Sequence, residues 1–377
     1  MSSDRVMAVA CGVIALAVGA VAVMFSIAPH FWRVSALVRM DPREPMAEVA
    51  RIADPDFAFI FDGHYDGVYA YAIALDPLAR GHTHTLIDYP AYRYGRVGYG
   101  WLAWAVTGGR ARAIPTALLA IGLFSLGMAG YGASRLATQL GWSSSLGLLV
   151  GLNPGILLGL TVDTSEPLTI ALIVFALLAW LKDRTVTAVI LMCFLALVKE
   201  PFLAVPAGLF LWELFMWRKG YRAQDLFKRL ALLTAPVIVV AAWWIYVRSV
   251  FGVWSFNQPW LVSPPIYGWL DGFKKTAELA TLGNVDQMQI GLAEVPLLLC
   301  VGVAFLMGFV RAIRFKTPLD PIFVFFAIIF SALSWWQLVY PKDMIRILAI
   351  PLFFLPAVFP ARELFIPSSR LPDRSQE

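Results

Sequence analysis

The chain has 377 residues, 59% of them hydrophobic and only 15% charged, with a mean hydropathy of +0.71. That balance excludes a water-soluble domain, and repeated apolar runs of spanning length make this a polytopic membrane protein. The net charge of +5 is too modest for a nucleic-acid footprint and is read through the distribution of Lys and Arg between loops.

Lipid cannot satisfy the backbone of an open sheet, so the expected fold is all-α, a transmembrane helical bundle. Met1 to Arg5 is short and carries a basic residue, and the apolar run from Val6 to about Ile27 reads as a retained signal anchor with the N-terminus inside. Residues 28–96 follow as a large first outer loop with short interfacial helices. Within it, Phe61-Asp62-Gly63-His64-Tyr65-Asp66-Gly67 holds two Asp-Gly pairs, which favour turns. From Val68 to Ala74 no breaker occurs before Asp76-Pro77. This predicts a short helix, half buried at the interface, where tyrosine is at home.

Further apolar runs lie at about 97–108, 114–138, 144–162, 167–181, 185–198, 201–217, 229–250, 294–311, 319–338 and 344–360. The basic clusters Arg218-Lys219, Arg222, Lys228-Arg229 and Arg311, Arg314, Lys316 are expected on the cytoplasmic side, with Lys182 and Arg184. Three runs between the first loop and Asp163 cannot connect two outer segments. The shortest, 97–108, is therefore read as re-entrant or fused with its neighbour, giving about 10–11 spans. Residues 1–366 read as one membrane domain and 367–377 as a polar cytoplasmic tail. Cys11, Cys193 and Cys300 sit in apolar runs as small buried hydrophobes, without a disulfide or metal framework.

On this topology, polar residues converge on the outer face: Asp62 and Asp66, Asp163 and Glu166, Lys199 and Glu200, then Lys342, Asp343 and Arg346. Lys199-Glu200 interrupts an apolar stretch, and an ion pair at such depth is a functional hypothesis by default, set against snorkelling to the interface. Lys and Arg together suit a phosphate or pyrophosphate, and a loop carboxylate suits a general base that deprotonates an acceptor hydroxyl. His82 and His84 read as exposed loop residues. Their spacing is weak for zinc, so no metal site is assigned, no cofactor is expected, and a divalent metal is not favoured.

Asp66-Gly67-Val68-Tyr69-Ala70-Tyr71-Ala72, then Asp88-Tyr89-Pro90-Ala91-Tyr92-Arg93-Tyr94, Leu152-Asn153-Pro154-Gly155 and Asp163-Thr164-Ser165-Glu166-Pro167 follow one another along the chain. With Ala196-Leu197-Val198-Lys199-Glu200 and Asp343-Met344-Ile345-Arg346-Ile347, this order resembles the C-type glycosyltransferase (GT-C) superfamily. The variant Tyr-Asp-Gly with Ile73-Ala74-Leu75-Asp76-Pro77 is similar to bacterial membrane proteins described as mannosyltransferase-like. Where the family often has a second acid, this chain has Gly67.

The resemblance implies an inverting transfer of a sugar from a polyprenyl-phosphate donor to a lipid, glycan or protein acceptor. It would take place at the outer face of the cytoplasmic membrane, with no nucleic-acid partner. It implies Asp66 as catalytic base, with Asp62 the competing candidate, and Lys199 and Arg346 holding the leaving lipid phosphate. Glu166 or Asp163 would orient sugar or acceptor, and His64, Tyr65 and Arg93 join them as substrate-binding candidates. The alternative is a polytopic transporter or lipid flippase, which more often carries paired broken spans and a midplane site.

Overall fold

The computed structural model describes residues 3–221, 226–258, 261–282, 284–358 and 365. The first apolar run becomes α1 (Ser3–Ile27), whose buried residues Ala8, Cys11, Ala15, Gly19, Val23 and Ile27 recur every three or four positions. That spacing draws one stripe along the helix, and it packs against the later helix Ile114–Gln139. Small residues bring the two backbones together: a Cβ on Gly130 would lie 2.8 Å from the Cys11 carbonyl oxygen. Close backbone approach of this kind is how apolar helices associate where lipid removes the hydrophobic drive.

Between these two helices the chain forms short pieces: α2 (Pro45–Ala53), α3 (Gly67–Leu75), α4 (Pro90–Arg93) and α5 (Gly98–Thr107). Pro45 and Pro90 each start a helix, where the missing N–H costs nothing and φ is already set. Ile114–Gln139 is α6; α7 (Leu148–Gly151) and α8 (Pro154–Thr161) follow, bent by 44° at the break between them. Asn153 causes the restart, its side chain accepting from the backbone N–H groups of Gly155 and Ile156 ahead of Pro154. Next come α9 (Glu166–Leu181), α10 (Thr185–Val198), α11 (Ala204–Arg218), α12 (Leu226–Phe251) and α13 (Tyr267–Leu282). The last are α14 (Val285–Ala312), α15 (Leu319–Ser331) and α16 (Pro341–Val358).

The described residues, read above as one domain, group into two compact units. One comprises Met1–Glu200 with Val237–Asn257, the other Pro201–Pro236 with Gln258–Glu377. In the first unit α1, α6, α9 and α10 pack in succession, and α3 packs on α5. In the second, α13, α14, α15 and α16 pack together and α11 lies on α15. There Gly208 admits the backbone of Ile322, whose nitrogen would be 2.6 Å from an added Cβ.

Among the described residues the fold is all-α, with no strand beyond an isolated bridge between Val262 and Leu333. Four helical stretches, Ser3–His30, Ala111–Gln139, Lys228–Phe251 and Val285–Ala312, are long and apolar enough to cross a membrane; the bent pair α7–α8 makes a fifth if it is one span. Helices α9, α10 and α15 are apolar but shorter.

The run at 97–108, read as re-entrant or fused with its neighbour, yields the ten-residue α5, about 15 Å of helix and too short to cross by itself. Two expectations need correction. Helix α3 forms where the sequence places it, but it is not half buried: every residue from Gly67 to Ala74 is buried. Cys300 is exposed, unlike the buried Cys11. The polar tail 367–377 lies outside the described residues.

Candidate functional site

Helix α3 starts at a crossing of three backbones. A Cβ on Gly67 would sit 2.7 Å from the Val162 carbonyl oxygen and 2.8 Å from that of Val38. Glycine is needed here for space, and the crossing puts Asp66 one residue from two other parts of the chain. Asp66 is the residue ahead of the helix, and its Oδ1 accepts from the Arg93 guanidinium at 3.2 Å. Arg93 also reaches Asp88 at 3.3 Å and lies 3.6 Å from the centroid of the Tyr69 ring. A guanidinium stacked on an aromatic face and forked between carboxylates is fixed in direction. Asp66 therefore has a set orientation at a partly open place, its side chain 37% exposed.

Asp62, the competing acid, sits elsewhere. It has left-handed backbone (φ 53°), pairs with Arg43 at 2.5 Å, and is 87% exposed. The Arg43 fork is shared with Asp41 at 2.6 Å, so Asp62 belongs to a surface clasp that closes the loop. His64 is half exposed and bridges Glu44 (Nδ1, 2.9 Å) and the Tyr69 hydroxyl (Nε2, 2.7 Å). The Glu44 hydrogen bond raises the His64 pKa above its ordinary value against the opposing effect of burial. Tyr65 is half buried beside it.

Lys199 and Glu200 do not pair with one another, contrary to the reading of an adjacent ion pair. Lys199 turns to Glu166 at 2.5 Å, and Glu200 takes the Arg96 guanidinium through two hydrogen bonds of 2.6 Å. The reason is backbone geometry. Helix α10 ends at Val198 and Lys199 is extended (φ −162°, ψ 100°), so successive side chains leave in opposite directions. Glu166 is 1% exposed and also accepts from the Thr164 hydroxyl.

Asp163 is buried too, with left-handed backbone (φ 49°) and no hydrogen-bond partner on either carboxyl oxygen among the described residues. Tyr92, itself buried, has the Arg96 and Arg93 guanidiniums 4.7 and 5.2 Å from its ring centroid. Asp66, Arg93, Asp163, Glu166, Lys199 and Glu200 thus all belong to the first unit. Arg346 lies in α16 of the second.

His84 is not a free loop residue, since its Nδ1 lies 3.1 Å from Asp76 Oδ2, in a turn where Asp76 also accepts from the N–H groups of Arg80 and Gly81. His82 is exposed as expected. Among the described residues no three His, Cys, Asp or Glu side chains come together as a metal ligand set.

Several contributors escape sequence reading. Arg96, Glu44 and Tyr69 acquire their partners only through the fold. Arg39 and Glu294 carry a signal that was there to use, a single charge inside Leu37-Val38-Arg39-Met40 and inside the apolar helix α14. Glu294 is fully buried, and neither oxygen has a hydrogen-bond partner among the described residues. Neither a protein-family model, nor a curated protein, nor a solved structure matches the chain.

Proposed function

We propose that the chain is a multi-pass glycosyltransferase of the cytoplasmic membrane that takes a sugar from a polyprenyl-phosphate donor. The reading includes about 10–11 spans, a cytoplasmic N-terminus, and an active site at the outer face formed by the first loop. One observation carries it. A partly open carboxylate, Asp66, is oriented by Arg93 at the tightly packed start of α3, in a unit otherwise rich in closed ion pairs. Asp66 takes the acceptor hydroxyl proton as that oxygen attacks the anomeric carbon. The bond from that carbon to the donor phosphate oxygen breaks, and the lipid phosphate leaves with the electron pair, inverting the centre. A general base at this step contributes about 10²–10⁴-fold.

The test is transfer from radiolabelled polyprenyl-phosphate hexoses by full-length protein in bilayers. Asp66→Asn is expected to lower turnover by about that factor and Asp62→Asn to leave it near wild type. Equal turnover in wild type and Asp66→Asn overturns the assignment.

A transporter is the second reading. It is favoured by the bend between α7 and α8 and by Glu294 inside a spanning helix. Uptake of labelled lipid without bond cleavage would mark it.

A further inference from the structure

Three cations of the candidate site in the first unit already have carboxylate partners. Lys199 has Glu166, Arg96 has Glu200, and Arg93 has Asp66 and Asp88. Arg39 is different. Its side chain is half buried, its Nε is buried with no acceptor, and no ion pair reaches it among the described residues. The carboxylates close to it in sequence are engaged, Asp41 by Arg43 and Glu44 by His64. Burial alone lowers its pKa from the ordinary guanidinium value, with no neighbouring charge contributing. A desolvated guanidinium without a counter-charge is costly, whereas one that meets an anion from outside gains strong charge-assisted bonds.

Its place in the fold says which anion. Arg39 follows the 3₁₀ turn Val34–Val38 with left-handed backbone (φ 58°), and the Val38 carbonyl is the one that touches the Gly67 position beside Asp66. A few residues earlier, where the spanning stretch Ser3–His30 ends, Phe31 and Trp32 are exposed. Exposed aromatic residues at the end of a span mark the headgroup level of a bilayer, and the anion at that level is a phosphate ester. The Arg fork matches phosphate oxygens in geometry as well as charge.

We propose that Arg39 is the anchor of a phosphate-binding subsite next to Asp66, filled by the phosphate of a membrane lipid. This deepens the glycosyltransferase reading by naming a residue that holds the donor phosphate. The binding test uses sugar-free probes, so a failure of sugar transfer leaves its result standing.

Full-length protein in phosphate-free maltoside micelles is treated with phenylglyoxal, and modification of Arg39 is read by peptide mass spectrometry. Farnesyl phosphate, phosphatidylglycerol, inorganic phosphate and farnesol are added separately. Arg39 should be modified in the bare protein and protected about tenfold or more by a phosphate-bearing probe, the factor one charge-assisted hydrogen bond carries. Farnesol should not protect. Protection strongest with farnesyl phosphate assigns the subsite to a donor-type lipid; equal protection by phosphatidylglycerol assigns it to bulk phospholipid; either supports the proposal. Protection by inorganic phosphate alone overturns the lipid assignment.

In parallel, Arg39→Gln should weaken farnesyl phosphate binding by about tenfold and Arg39→Lys by less. Equal modification with and without every phosphate probe overturns the proposal, as does protection by farnesol to the same extent. Because the protection measurement uses the wild-type chain, it decides the question even if Arg39→Gln does not fold.

Discussion

In the first unit, acids are mostly partnered: the buried Glu166 by Lys199, the half-buried Glu200 by Arg96, and the buried Asp76 by the His84 ring and two backbone N–H groups. In the second, Asp320 is likewise held, by the Lys316 and Thr317 N–H groups, the Thr317 hydroxyl and Arg311 at 3.7 Å, whereas Glu294 sits in α14, a helix long and apolar enough to cross a membrane, with both carboxyl oxygens buried and unpartnered among the described residues. The difference teaches that one chain handles buried charge in two ways. A charge–charge pair is strong only while both members remain, because each was desolvated to make it. A lone buried acid instead carries a desolvation cost that no partner offsets, and removing its charge relieves that cost. Asp163 is the exception in the first unit, buried and unpartnered beside the candidate site.

The largest break of this contrast is expected from Lys199→Ala, which strands the 1% exposed Glu166. Loss of about 3–5 kcal/mol should appear as a large fall in melting temperature in detergent, mostly recovered in Lys199→Met/Glu166→Gln. If the single variant melts like wild type, the pair does not hold α9 to the end of α10.

Next in size is Gly67→Ala. Its Cβ would meet two backbone oxygens inside 3 Å, and backbone cannot rotate away as a side chain can. A cost of about 1–3 kcal/mol is expected, with transfer activity lost alongside stability because α3 shifts. Wild-type melting would show that the crossing has slack. Glu294→Gln sharpens the comparison from the other side. It keeps the shape and removes the charge, so stability should change by less than about 1 kcal/mol or rise. A loss as large as that of Lys199→Ala would mean that Glu294 is paired after all.

The smallest effect is a pH dependence at His64. Its folded pKa is raised, chiefly by Glu44, so the pair stabilises fully below the unfolded value of about 6.5 and is lost as pH rises through the folded value. With the His64 ring half exposed, solvent screening keeps this below about 1 kcal/mol. A histidine titration by NMR should show the upward shift in wild type and its disappearance in Glu44→Gln. An unshifted wild-type titration would dissolve the His64–Glu44 link.

Amino-acid order alone was enough for several helices. The apolar runs at 167–181 and 185–198 match α9 and α10 closely, because periodicity acts within a few residues, whereas the run at 294–311 misses the start of α14 at Val285 and the run at 144–162 misses the break between α7 and α8. It also singled out Lys199 as a charge interrupting an apolar stretch, and Asp66 and Glu166 as acids at the expected outer face within motifs that resemble a known family. What it could not supply was partnership. Lys199 finds Glu166 across 33 positions and Arg96 finds Glu200 across 104, and the depth of α3 depends on neighbours far away in the chain. The exposure of Asp62 and the Arg93 fork on Asp66 likewise come only with the tertiary structure. Helix formation follows from local chemistry, whereas ion pairing and burial depend on which distant segments meet, and here the contacts around Gly67 settle that meeting.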